Sequence, residues 1–409
     1  MISLRQSDIS KSPPIKDSIS YRIDFIKKLL KEQIFDSLID FDQTNTECFV
    51  GSRDSESGES HDTRVLLKKR VLNFVDVIRH LGHGGKLTYI KSGTTGHTFK
   101  GVATDDGGEF EYAVKVVAYP KVSRYGDLHD SRRPENAELM MNKLLSYFIV
   151  TKQTPHVVLP YGTFDTSIEL FTNLINFNAV EKDNGKYNEF ITNYKNGNFY
   201  EDVSILISEW ANRGDLLEFI KKNHTKFSPL HWKVFFFQII STLSVIQNKF
   251  PSFRHNDLKA NNILVHKIDK NNKNFTYTIN GNMYKVPNIG YQIKIWDFDF
   301  ACIPGIINNT KVSTKWANNI NIKPEQNRYY DLHYFFSTLM RKGFFPQFMN
   351  KKNIPQETKD FVTRIVPQKY RETGKYVHEK GRLLVNDEYI IPDEILVNDP
   401  YFEEFRHAM

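Results

Sequence analysis

From Tyr21 to Ile39 the apolar residues Ile23, Phe25, Ile26, Leu29, Leu30, Ile34 and Leu38 recur at helical spacing and predict a helix. A second helical pattern runs through RVLLKKRVLNFVDVIRHL (64–81). Between them GSRDSESGESHD (51–62) is polar and rich in Gly and Ser, and reads as a loop or linker. Residues 1 to about 20 are polar and carry a Pro-Pro pair, a pattern of loose chain.

After Gly85 the period shortens. KLTYIKSGTTGHTFKGVAT (86–104) and EFEYAVKVVAY (109–119) are β-rich runs flanking the turn signal DDGG. RPENAELMMNKLLSYFIV (133–150) returns to helical spacing, with Pro134 suited to a first turn. Strands are expected at VVLPYGTF (157–164) and VSILISEW (203–210), around a polar, Asn-rich insert. From Asp215 the pattern is helical, most clearly in PLHWKVFFFQIISTLSVIQ (229–247). A mainly β segment with one helix followed by a mainly helical segment predicts an α+β molecule with a cleft between its parts.

Composition narrows the classes. A chain of 409 residues with 40% hydrophobic content fills two or three domain-sized cores. A net charge of +7 over this length reads as a solvated surface, so nucleic acid is not expected as the main partner. Cys48 and Cys302 offer neither a disulfide framework nor a zinc site, which suits a reducing compartment. Neither a signal-peptide core nor a run of 18 uninterrupted apolar residues is present, and a soluble protein without a transmembrane segment is expected.

RHNDLKANNILV (254–265) crowds polar side chains in front of an apolar strand, and YQIKIWDFDFA (291–301) is a second β run broken by Asp297 and Asp299. Strands bringing Asp257, Asn262 and Asp297 to one end would form an oxygen-rich cluster of the kind that suits Mg²⁺, which takes phosphate oxygens and water as its remaining ligands. Asp257 alone could instead accept a proton from an attacking hydroxyl.

His255-Asn256-Asp257-Leu258-Lys259-Ala260-Asn261-Asn262 and Asp297-Phe298-Asp299 resemble the HRDLKxxN and DFG motifs of the protein-kinase superfamily. The resemblance covers about residues 86–409 and implies a bilobal protein-kinase-like fold. Residues 86–210 would form a small β-rich N-lobe and 211–409 a larger helical C-lobe, with 1–85 an N-terminal, partly helical extension. It implies a serine/threonine protein kinase that uses ATP and Mg²⁺ and acts on protein substrates. Asp257 would position the substrate hydroxyl, Lys259 would steady the γ-phosphate, and Asn262 and Asp297 would hold the metal. Lys115, in Ala113-Val114-Lys115, matches the strand lysine that binds the α- and β-phosphates. Gly93, Thr94, Thr95 and Gly96 form a reduced glycine-rich loop. Glu138, nearer the middle of its helix, is preferred to Glu135 as the partner of Lys115. Glu209, Trp210 and Ala211 line the expected hinge, Ser208 takes the gatekeeper position, and Asp215 is the candidate for the ribose hydroxyls. Lys323-Pro324-Glu325 stands for the Ala-Pro-Glu motif, and Asp331 for the aspartate that braces the catalytic loop.

Asn256 replaces the arginine that usually receives an activation-loop phosphate, and Asp299 replaces the glycine of DFG. The stretch GNMYKVPNIGYQIKIWDFDFA resembles kinases of large cytoplasmic DNA viruses, including poxvirus virion kinases, which implies the host cytoplasm or the virus particle. Two alternatives stand beside this reading. Choline and aminoglycoside kinases share HxDxxxxN and an extra carboxylate that Asp299 would supply. A pseudokinase scaffold would keep the fold without transfer, although Lys115, Asp257, Asn262 and Asp297 are all present.

Overall fold

The computed structural model describes residues 18–31, 33–41, 61–81, 86–93, 95–105, 108–271 and 273–407. It mixes helix and sheet as expected. Five antiparallel strands form the main sheet in the order β1-β2-β3-β5-β4: β1 Lys86–Ser92, β2 Gly96–Asp105, β3 Gly108–Pro120, β4 Pro160–Ser167 and β5 Phe199–Glu209.

The N-terminal segment departs from its periodicity. The helix expected over 21–39 is α1, Ile19–Leu30, started by Ser18, whose hydroxyl accepts from the Tyr21 amide. Residues 33–41 follow as bends that bury Phe35, Leu38 and Ile39. The pattern over 64–81 gives two short helices, α2 Thr63–Leu66 and α3 Phe74–His80. Pairing with the sheet explains both breaks. The Leu38 amide donates to Tyr161 O, and Leu72 N and Asp165 N exchange bonds with Asp165 O and Arg70 O along β4. An unpaired edge strand exposes a row of backbone donors and acceptors, and here two N-terminal segments cover it. Tertiary pairing overrides a helical pattern that short apolar segments satisfy equally well.

One face of the sheet carries α4, Pro134–Val150, with proline at its first turn as expected and Leu139, Met141, Leu144, Leu145 and Phe148 buried. The insert between β4 and β5 holds α5, Glu169–Thr172, and α6, Gly185–Lys195. The helical part follows with α7 Leu216–Asn223 and α8 Pro229–Lys249. Helix α8 is long and apolar enough to cross a membrane, but its most apolar stretch is 83% buried inside the protein, the mark of a core helix.

Two further strand pairs matter for the site. β6, Ile263–Lys267, pairs antiparallel with β9, Tyr291–Ile295, so that Ile263 lies opposite Ile295. Between them β7, Asn274–Ile279, and β8, Asn282–Pro287, form a hairpin extended by β10, Arg406–His407, with Tyr277 and Tyr284 packed on Phe237 of α8. Helices α9 Lys315–Asn319, α10 Tyr330–Leu339, α11 Gln356–Ile365 and α12 Pro392–Asn398 complete the chain. The C-terminal stretch divides into α12 and a 3-10 turn over Pro400–Phe405, with Asp399 between them held by Arg364 at 2.7 Å.

Candidate active site

Strand alternation gives β3 its buried Val114 and Val116 and turns Lys115 the other way. Lys115 Nζ lies 2.6 Å from Glu138 Oε1 on α4 and 3.0 Å from Asp297 Oδ1 just after β9. Burial would lower the lysine, but Asp297 and Glu138 outweigh it and raise it. Burial would likewise raise Asp297; contact with Lys115 overcomes this and holds it down at about 2. Burial pushes Glu138 up to about 7 despite Lys115. Asp297 adopts φ +66°, a left-handed conformation that non-glycine residues rarely take. Of the two candidate glutamates, Glu138 meets Lys115, whereas Glu135 pairs with buried Arg133 at 3.3 Å.

Above this cluster the chain turns between β1 and β2. Gly93 N donates to Gly96 O at 2.8 Å, and Thr95 O accepts from Ala118 N at 2.7 Å. A side chain at Gly96 would begin 1.8 Å from Val116 O, so only glycine lets the turn lie this close to β3. Thr94 lies outside the described residues. An open cavity of about 380 Å³ is lined by the turn, Lys115, Glu138, Trp296, Asp297 and Lys311.

The catalytic-loop candidates are held by backbone bonds from below. Asp331, fully buried on α10, accepts from the amides of His255 and Asn256 at 2.7 and 2.8 Å, in the bracing position expected of it. His255 Nε2 donates to Trp296 O at 3.0 Å, which leaves Nδ1 to accept from Asp257 N at 3.3 Å. Asn256, at φ +63°, donates its side-chain amide to Phe300 O at 3.0 Å. Asp257 Oδ2 receives Asn262 Nδ2 and Lys259 Nζ, each at 2.9 Å. The β6–β9 pairing thus sets Asn262 and Asp297 at adjacent strand ends, as the sequence predicts.

The hinge candidates divide. Glu209 turns its carboxylate to Arg22 of α1, at 2.9 and 2.5 Å, and to the Leu159 amide at 2.9 Å. Its side chain is therefore a tie to the N-terminal helix, and its amide donates to Leu159 O at 3.0 Å. Trp210 is half-buried beneath Lys100, Ala211 is buried, and Ser208 is buried opposite Ala113. Asp215 caps α7 by accepting from Glu218 N at 2.9 Å. Asp299 forms an ion pair with Lys311. The Glu325 carboxylate is half exposed and lies 3.9 Å from Lys323, and Arg328 close by in the chain pairs with Glu388 at 2.7 Å.

Sequence reading did not single out Arg382. Its guanidinium reaches Asp257 Oδ1 at 2.5 Å from 125 positions away. Nothing in the spacing of YVHEKGRLLV marks the residue, and its weight comes from the fold alone. Lys311 and Arg22 were likewise invisible without their partners.

The family described as poxvirus serine/threonine protein kinase matches residues 124–390. A protein of Acanthamoeba polyphaga mimivirus whose name describes a serine/threonine-protein kinase is 45% identical over 413 residues, covering 100% of this chain and 84% of that protein. Serine/threonine-protein kinase 2 of fowlpox virus (strain NVSL) is 27% identical over 249 residues, 60% of this chain and 50% of that protein. Its swinepox virus (strain Kasza) namesake is 30% identical over 161 residues, 37% of this chain and 33% of that protein. The chain belongs to the poxvirus serine/threonine protein kinase family, and is accordingly a protein kinase, a phosphotransferase acting on protein substrates.

Proposed function

We propose that the protein transfers the γ-phosphate of ATP to serine or threonine hydroxyls of proteins, in a cleft between an N-lobe of residues 86–210 and a C-lobe of 211–409. The observation that carries this reading is the meeting of Lys115, Glu138 and Asp297 in one ion cluster beside the Asp257–Asn262–Lys259 set. The cavity under Gly93 and Gly96 has room for phosphate groups, with Lys115 on its wall. Lys115, held by Glu138, binds them, while the backbone of Glu209, Trp210 and Ala211 receives the base and Asp215 the ribose.

The donor set fits Mg²⁺. Among the described residues no group of three or more His, Cys, Asp or Glu forms a ready-made protein cage, and Mg²⁺ uses one or two protein oxygens with phosphate and water. Asp297 and the side-chain oxygen of Asn262 would hold it, where it neutralises phosphate charge. Asp257 accepts the proton of the attacking hydroxyl and aligns its oxygen with the γ-phosphorus; Lys259 offsets charge on the transferring group. Positioning of this kind converts an encounter into an intramolecular step. Site of action follows the family, and we place it in the cytoplasm of an infected cell or in the virus particle.

A small alcohol as acceptor is the weaker reading, because the extra carboxylate it calls on, Asp299, is engaged by Lys311. Incubation with γ-labelled Mg·ATP and, in parallel, a mixed Ser/Thr protein substrate, choline and aminoglycosides tests the choice. Label on phosphoserine or phosphothreonine is the expected result; label on the small alcohols alone would overturn it.

A further inference from the structure

We propose that Arg382 is a positioning residue for phosphoryl transfer: it locks the Asp257 carboxylate in the orientation that receives the substrate hydroxyl. The inference rests on the reading of Asp257 given above. A carboxylate offers about four acceptor directions. Asn262 and Lys259 both take Oδ2, which leaves the group free to pivot about that side. Arg382 Nη2, at 2.5 Å from Oδ1, removes the pivot and leaves one direction on Oδ1 for an incoming hydroxyl.

The arginine is itself fixed on every side. Nη1 donates to Asn256 O and, at 3.2 Å, to the Tyr330 hydroxyl. The guanidinium lies 4.3 Å from the Tyr334 ring centroid. Tyr330 and Tyr334 belong to α10, the helix whose Asp331 holds the amides of His255 and Asn256. One helix therefore sets both the backbone and, through Arg382, the side chain of the catalytic loop. The backbone of Arg382 is pinned as well. His378 N donates to Arg382 O and Gly381 N to His378 O, both at 2.8 Å, and Val377 and Leu383 flank the turn in the core. Gly381, at φ +86°, is pressed against Arg341, whose guanidinium also holds Arg371 O at 2.9 Å.

Charge gives the arrangement a second consequence. Arg382 is 6% exposed, and a buried cation without a partner is costly, so the guanidinium stays on Asp257. With Arg382 neutralising the carboxylate, the charge of the more exposed Lys259 is left to face a transferring phosphoryl group.

A kinetic double-mutant cycle tests the proposal, using Arg382→Gln, Arg382→Lys, Asp257→Asn and the double variant Asp257→Asn/Arg382→Gln in the full chain. Each is measured for transfer to a protein substrate, for the KM of ATP and for thermal unfolding. The expected result for Arg382→Gln is a fall in kcat of about 10- to 100-fold, part of the roughly 10²–10⁴-fold that a positioned base supplies. The KM of ATP is expected to be unchanged, and Arg382→Lys to recover part of the rate. In the Asp257→Asn background Arg382→Gln is expected to cost nothing further, because the group through which it acts is gone. Equal losses in both backgrounds would reduce Arg382 to a structural prop and overturn the proposal, as would a wild-type or raised kcat in folded Arg382→Gln. Full activity of Asp257→Asn alone would overturn the underlying reading of Asp257, and is a separate outcome.

Discussion

Lys115 stands between two carboxylates, and which glutamate holds it is settled by direction along α4. Glu138 points to the lysine and Glu135 to Arg133. Glu138→Gln is expected to lower turnover by roughly 10²-fold, the scale seen when one electrostatic contact at a reacting centre is lost. Glu135→Gln is expected to lower the melting temperature and leave turnover near wild type; the reverse order in an activity assay would contradict the assignment. Asp257 shows why one residue's environment has to be seen. From the motif alone Asp257→Asn reads as silent for folding. With Arg382 buried against it, the substitution strands a cation and is expected to cost about 3 kcal/mol, recovered in part by adding Arg382→Gln. Calorimetry on the three proteins checks this, and an unchanged melting temperature in Asp257→Asn would count against it. The candidate catalytic positions are legible because each is tied to a short motif; Arg382 is not, because it lies 125 positions from Asp257 and meets it only in the fold.

Among the elements, the N-terminal segments do what their own sequence does not announce. Residues 37–38 and 70–72 pair with β4 and close the sheet edge, while α1 is tied behind Glu209 by Arg22. The Arg22 guanidinium also donates to Pro155 O and Val157 O at 2.9 and 3.2 Å, so one side chain joins α1 to the approach to β4 and the end of β5. Lys69, fully buried, meets Asp165 at 2.7 Å from the same covering segment. Periodicity locates helices here but overstates their lengths, since Leu38 is buried where residues 37–38 pair with β4 rather than on a helical stripe. The five sheet strands and helices α4, α7 and α8 are legible because their apolar periods are clear and their turns are marked by Gly and Pro, whereas α5 and α6 lie in a polar, Asn-rich insert whose pattern announces no helix. Arg22→Met is expected to destabilise the protein by about 3 kcal/mol, because Glu209 is left half-compensated in a buried position. A melting temperature equal to wild type would show that α1 does not depend on this tie.

At the scale of the whole molecule, buried histidines set an acid limit. Burial holds His97 and His333 down at about 4, against 6.5 in the unfolded chain, and His156 well below its ordinary value. Between those values the unfolded chain binds more protons at these histidines than the folded one, so their contribution to stability is complete above pH 6.5 and falls as pH drops toward 4, with the raised Glu138 acting in the opposite sense. At about 1.4 kcal/mol per pH unit, His97 and His333 each withdraw on the order of 3 kcal/mol across that range. The urea midpoint is expected to be lower at pH 5 than at pH 7; an equal or higher midpoint would contradict the burial of these imidazoles. The same compact frame is what holds β6, β9 and α10 against one another, and through them the site. Whether Asp257 directs the acceptor hydroxyl is decided by single-turnover transfer of labelled γ-phosphate to a Ser/Thr protein substrate. With wild type and Asp257→Asn both folded and both binding ATP, the variant is expected to lose at least about 10²-fold in rate; equal rates would show that Asp257 does not direct the hydroxyl.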